Sequence, residues 1–135
     1  MPEYEIVYKQ KANVIAGWGV KRTSNRARKI SKKQGVPYIA LEDGFIRSYG
    51  LGVEKSAPFS LVVDDVGIYY DATKPSKLEQ LIIENDVDLE RAKNLMAEIK
   101  RHKLSKYNNF TGKWNLPKAK YVLVVDQCYG DYSVK

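Results

Sequence analysis

The sequence is short of the residues that build disulfides and metal centres. Its single cysteine, Cys128, rules out an internal disulfide and a CxxC zinc or redox site, and its single histidine, His102, weakens the case for zinc further. No apolar run approaches the roughly 20 residues needed to span a bilayer. The N-terminus, MPEYEIVYK, has no apolar core of signal-peptide length. No internal repeat or low-complexity block stands out. These absences lead to the expectation of a reduced, soluble, cytoplasmic chain, with peripheral contact with a membrane left open.

What is present fits a folded α/β domain. A length of 135 residues is that of one domain or part of a larger one, and 44% hydrophobic residues can supply a core. The net charge of +7 suits a polyanion, an anionic membrane surface or a small acidic substrate, and does not choose among them. Ten tyrosines supply most of the aromatic content. Tyrosine suits half-wet clefts, because its ring packs while its hydroxyl stays paired.

Asn13 to Gly17 is a short apolar run entering Gly-Trp-Gly, read as a strand and a tight loop. Thr23 and Ser24 can cap a basic helix from Asn25 to Gln34, which Gly35 and Pro37 close. Val36 to Leu41 reads as a second strand, apolar enough for a parallel sheet covered on both faces. Ser60–Asp65 and Ile68–Asp71 flank a Val-Gly link, which predicts a β-hairpin. Ser76 and Glu79 form a capping box for a helix to Glu84, and Asp88 can cap another to about Leu104 along a stripe of Leu89, Ala92, Met96 and Ile99. Ser105 to Lys118 reads as a long loop. Tyr121 to Val125 (YVLVV) reads as the clearest buried strand, running into Asp126 and Gln127.

Ligands of open α/β sheets bind outside the C-terminal ends of the strands. Three runs end in polar residues there: Gly17 to Arg22, Glu42 to Ser48, and Asp126 to Ser133. If the strands are parallel, these loops share one rim. Each piece also has a plain structural reading. Gly-Trp-Gly alone reads as a turn with a packed tryptophan, since Walker and dinucleotide spacings are missing. Asp64-Asp65 resembles the paired acids of metal-dependent sugar-nucleotide enzymes, but before Val-Gly it reads as hairpin chemistry. Arg26, Arg28, Lys29, Lys32 and Lys33 read as a solvated helix face, and His102 as a dipole partner. Glu42 and Asp43 alternate in direction, so one faces the covering layer and costs desolvation unless paired. A carboxyl held there can serve as a general acid or base. Arg47 is then its ion-pair partner or a clamp for an anionic substrate. Asp126 is a helix cap or a nucleophile, and carboxylates about 5 Å apart suit retaining glycosyl transfer.

Taken in order, GWG-x-K (Gly17 to Lys21), LEDGFIRS (Leu41 to Ser48), PFSLVVDDVGIYYDAT-x-PS-x-LE (Pro58 to Glu79), SKYN (Ser105 to Asn108) and VLVVDQ-x-x-GD-x-S (Val122 to Ser133) resemble the catalytic modules of bacterial capsule-polysaccharide biosynthesis proteins of the KpsC type. The resemblance covers about Asn13 to the end. It implies a Rossmann-like half of a GT-B-type retaining β-Kdo glycosyltransferase, with a hairpin insertion. It also implies transfer of Kdo, an eight-carbon acidic sugar, from the donor CMP-Kdo to a phosphatidylglycerol-linked glycolipid, with no metal or other cofactor. Implied partners are other capsule assembly proteins and the anionic inner membrane, contacted peripherally from the cytoplasm. By matching motif positions, Asp126 is the candidate nucleophile and Glu42 the acid/base. Asp43, Arg47, Gly17, Lys21, Gln127, Asp131 and Ser133 are implied to shape the site or bind substrate.

The departure is length, since a two-half transferase needs roughly 300 residues. Residues 1–135 are therefore expected to form one domain, the truncated N-terminal half of such a module, inactive alone. The competing expectation is a non-catalytic basic module binding an anionic membrane surface or nucleic acid. No RNP, KH, helix-turn-helix or zinc-finger pattern supports nucleic acid.

Overall fold

The computed structural model describes residues 11–109 and 115–134. Strand β1 (Ile15–Trp18) leads through a short 3-10 turn at Arg22–Ser24 into helix α1 (Asn25–Gln34), which returns the chain to strand β2 (Tyr38–Asp43). β1 and β2 pair in parallel, Ile15 opposite Tyr38 through Trp18 opposite Leu41. Strand β3 (Leu61–Asp64) adds on the other side of β2 in antiparallel fashion, Ala40 opposite Asp64 through Asp43 opposite Leu61. The result is a small mixed sheet in the order β1-β2-β3 with β2 at its centre. Two further helices follow, α2 (Lys77–Glu84) and α3 (Leu89–His102).

Local chemistry accounts for most boundaries. α1 stops where Gly35 takes the left-handed conformation, φ +65°, which glycine adopts without a Cβ penalty. Buried Ser31 donates its hydroxyl to the Val36 carbonyl at 2.6 Å and fixes the exit toward β2. The predicted serine cap at the other end does something else. Ser24 occupies the cap position, but its hydroxyl donates back to the Lys21 carbonyl at 2.8 Å, locking the turn that precedes the helix. α2 carries the predicted capping box, the Ser76 amide donating to Glu79 at 2.7 Å and Ser76 Oγ accepting from the Glu79 amide at 3.3 Å. Asp88 caps α3 through the Arg91 amide at 2.9 Å.

Three expectations need correction. β2 runs past Leu41 to Asp43, because Val62 and Leu61 of β3 stand opposite Glu42 and Asp43 and carry the ladder onward. The acids therefore belong to the strand and not to its exit. The predicted β-hairpin is absent: Ser60–Asp65 yields β3, but Ile68–Asp71 lies in turns. The cause is Asp64, 2% exposed, whose carboxylate accepts from the amides of Val66 (2.9 Å), Gly67 (2.8 Å) and Lys77 (3.0 Å). Side-chain acceptors of this kind compete with a returning ladder for the same amides. The chain instead drops Ile68 into the core, where it is fully buried, as Ile39 and Ala40 nearly are. The close approach depends on Gly67, where an added Cβ would overlap the Pro75 carbonyl oxygen.

The third correction concerns Tyr121 to Val125. This segment forms no strand, and its residues are 53% to 88% exposed. An apolar run encodes the need to be covered, not the partner that covers it, and no described strand lies beside this one. The stripe of α3 is likewise largely uncovered, with Leu89, Ala92 and Met96 exposed and Ile99 half-buried. Part of the predicted loop, residues 110–114, lies outside the described residues. Among the described residues, no helix is long and apolar enough to cross a membrane.

Asp64→Ala removes a buried acceptor from three backbone amides, and an orphaned buried group costs about 1–3 kcal/mol. Urea unfolding of the variant is expected to show a loss of at least that size. Asp65→Ala, on the exposed neighbour, is expected to stay within about 0.5 kcal/mol of the parent; equal losses for the two would contradict the assignment.

Candidate active site

Parallel pairing puts the C-terminal ends of β1 and β2 on one rim, and three groups of side chains are built there. The first is centred on Gly19. Its amide donates to the Leu41 carbonyl at 2.7 Å, extending the β1–β2 contact by one residue. Its carbonyl accepts from the Tyr38 hydroxyl at 2.6 Å. Its φ of +57° is left-handed, and an added Cβ would overlap the Tyr70 hydroxyl and come to 3.3 Å from Glu42 Oε2. Gly19 is therefore the floor on which Tyr70 and Glu42 meet.

Tyr70 reaches this floor from the turn that Asp64 creates. Its hydroxyl oxygen accepts from the Val20 amide at 3.2 Å, and Glu42 Oε2 approaches the same point over Gly19. The Lys21 ammonium stands 5.5 Å from the centroid of the Tyr70 ring, a cation–π distance. Tyr69 packs edge-on against Tyr70 at 5.5 Å. Burial holds the Tyr70 hydroxyl above the usual tyrosine range; the Val20 amide offsets part of this, while the charge and hydrogen bond of Glu42 push in the same direction as burial. Glu42 itself is half-buried, and its Oε1 accepts from the Asp43 amide at 3.1 Å.

The second group belongs to Asp43 and Arg47. Adjacent strand residues face opposite ways, and these two acids take different partners. Arg47 Nε donates to Asp43 Oδ1 at 2.7 Å, and Nη1 donates to Ser48 Oγ (2.8 Å) and to the Ser56 carbonyl (3.3 Å). The side chain is almost wholly buried, so these protein contacts compensate a charge that burial otherwise penalises. The SKYN segment closes over the same loop. The Lys106 carbonyl accepts from the Arg47 and Ser48 amides, the Tyr107 carbonyl from Gly50, and Asn108 Nδ2 donates to the Ser48 carbonyl at 3.0 Å.

The third group arrives from the end of the chain. Asp131 Oδ1 accepts from the Ser133 amide (2.9 Å) and hydroxyl (2.8 Å), and the Tyr132 carbonyl accepts from the Ala72 amide at 3.2 Å. The two Ser133 donors, then the positive charge of Lys21, hold the Asp131 carboxyl below the usual carboxylate range. Asp131 and Lys21 thus feel each other across the rim. Asp126 and Gln127 lie in the exposed segment that precedes them, where Asp126 Oδ1 accepts from the Gln127 amide at 2.7 Å. No described hydrogen bond joins Asp126 to Glu42. Gly17 serves packing, because a Cβ there would meet the Tyr38 hydroxyl at 2.6 Å and the Ala27 Cβ at 3.1 Å.

The arrangement joins Glu42, Lys21 and Gly19, and leads Asp131 and Ser133 toward them. Sequence reasoning missed Tyr70 and Tyr38. The abundance of tyrosine was the available signal, but it does not say which tyrosines reach the rim.

Residues 13–117 match the protein family described as capsule polysaccharide biosynthesis protein. The capsule polysaccharide modification protein LipA of Neisseria meningitidis serogroup A is 42% identical over 146 residues, covering 100% of this chain and 21% of LipA. The lipopolysaccharide-processing protein LpsZ of Rhizobium meliloti is 42% identical over 87% of this chain and 28% of its own length. Among solved structures, Thermosulfurimonas dismutans KpsC, a beta Kdo 2,4 transferase, superposes with a TM-score of 0.69 at 43% identity, over 88% of this chain and 39% of that one. The chain thus spans between a fifth and a third of the curated relatives it matches.

The Tyr70–Glu42 contact is open to direct titration. Phenolate absorbance of the chain, less that of Tyr70→Phe, is expected to show Tyr70 ionising above the ordinary tyrosine value of about 10. Glu42→Gln removes the neighbouring charge and is expected to lower that midpoint; an unchanged midpoint would contradict the contact. Because folding raises this pKa, its stabilising contribution is complete below about pH 10 and is lost as pH rises through the folded value.

Proposed function

The chain belongs to the capsule polysaccharide biosynthesis protein family, and from that membership we propose that it forms part of a transferase moving Kdo from CMP-Kdo to a phosphatidylglycerol-linked glycolipid. The observation that carries this reading is the convergence of Glu42 and Tyr70 over Gly19, with Lys21 against the Tyr70 ring, at the ends of two parallel strands, in a chain similar over 88% of its length to a solved beta Kdo 2,4 transferase. An acidic sugar suits a rim where Lys21 supplies positive charge and backbone comes close at glycine.

The chemistry proposed is double displacement with retention. The Asp126 carboxylate attacks the anomeric carbon of Kdo, and CMP leaves with the bonding electron pair. Glu42 then takes the proton of the acceptor hydroxyl as that oxygen displaces Asp126 from the anomeric carbon. This role requires Asp126 to come within about 5 Å of Glu42. Lys21, Asp131, Ser133 and Gln127 shape the pocket for the sugar and acceptor, while Gly17, Asp43 and Arg47 hold its walls. The chain is one Rossmann-like half of a GT-B-type module whose other half binds CMP, so the 135 residues alone are expected not to turn over. No metal takes part.

The basic face of α1 supports a location for this work. Arg26, Lys29 and Lys33, with Asn25 and Ile30, line an open groove, which suits peripheral contact with the anionic cytoplasmic face of the inner membrane alongside other capsule assembly proteins.

In a longer protein carrying this sequence and the second half, Asp126→Ala and Glu42→Ala are each expected to reduce Kdo transfer from CMP-Kdo by about 10²-fold or more. Activity retained in both variants would overturn the role assignment.

A further inference from the structure

The Tyr70 hydroxyl converges with Glu42 over Gly19 from a position 28 residues away in sequence, and nothing in the proposed chemistry yet uses it. Its hydrogen-bonding capacity is directional. The Val20 amide donates to the hydroxyl oxygen at 3.2 Å, which leaves the single hydroxyl proton free to be donated. The other neighbour of that hydroxyl is the Glu42 carboxylate. Glu42 Oε2 and the Tyr70 hydroxyl converge over the same point of Gly19, while Oε1 accepts from the Asp43 amide at 3.1 Å.

We infer that Tyr70 is a positioning residue: its hydroxyl, oriented by the Val20 amide, holds the Glu42 carboxylate in the rotamer that faces the acceptor. This inference rests on the reading of Glu42 as acid/base. A glutamate has three rotatable bonds between the backbone and its carboxylate oxygens that packing alone does not fix. Donors on both sides remove that freedom before substrate arrives, which is what precise proton transfer requires. The GWG loop enters the same device, since Gly19 alone permits the approach and Val20 supplies the orienting amide. Groups facing Tyr70 are Glu42 from β2, Lys21 from the loop after β1, and Tyr69 beside it. Asp131 acts at one remove, through Lys21.

The test uses a longer protein carrying this sequence, assayed for Kdo transfer from CMP-Kdo. Tyr70→Phe keeps the ring that Lys21 and Tyr69 contact and removes only the hydroxyl. It is expected to lower kcat about ten- to hundredfold, the value of one hydrogen bond to a charged group, with KM for CMP-Kdo within about twofold. In a Glu42→Gln background the same change is expected to have almost no further effect, because the group it positions is gone. The unsubstituted protein is expected to lose kcat on an alkaline limb as Tyr70 ionises and its proton is no longer available to Glu42, and Tyr70→Phe is expected to lack that limb. A Tyr70→Phe variant with unchanged kcat beside an inactive Glu42→Gln overturns the positioning role and leaves the acid/base reading standing. Full activity in Glu42→Gln overturns the acid/base reading, and the inference falls with it. If Tyr70→Phe does not fold, the unsubstituted protein still decides: a kcat that stays flat until unfolding begins overturns the inference.

Discussion

The carboxylate of Asp64 is the contact on which the rest of the arrangement hangs. It is buried at the end of β3, opposite Ala40 in the core, and three amides from two separate parts of the chain converge on it. A buried charge is tolerated only when its lone pairs are occupied. Here the same donors that satisfy it also bend Val66 and Gly67 away from the sheet and tie down the first residue of α2. Ile68 then fills the core, and the next two residues, Tyr69 and Tyr70, are delivered to the rim. A structural acid thereby sets where a tyrosine of the candidate site stands.

Neighbouring acids on β2 show how strand geometry divides labour. Glu42 meets Tyr70 over the glycine floor, whereas Asp43 is taken by Arg47. Arg47 in turn braces the loop that SKYN closes through Lys106, Tyr107 and Asn108. The density of charge in LEDGFIRS thus has two causes. One acid faces the rim, and the other, with its arginine, holds the loop in shape behind it.

Much of this was legible because it is local. The limits of α1 and α2 follow from Gly35 and from the Ser76–Glu79 box, interactions within a few residues of one another. The parallel pairing of β1 with β2 follows from a helix between two apolar runs. Family resemblance was equally readable, because five motifs in one order are carried by the letters themselves. What failed depended on distant partners. The extension of β2 needed β3 opposite it, and Ile68–Asp71 looked like a strand until Asp64 claimed the Val66 and Gly67 amides that lead into it. Tyr70 meets Val20 across 50 residues, a separation at which periodicity and capping carry no information.

The exposed run from Tyr121 to Val125 has a consequence for the chain in solution. It combines high β propensity with no charge and no proline, and four of its five residues keep more than three-quarters of their surface in water. An exposed segment of that composition can pair with identical copies of itself as stacked cross-β strands, which makes it an aggregation hazard. This stretch gives the chain a route to self-aggregation, and any strand that pairs beside it closes that route.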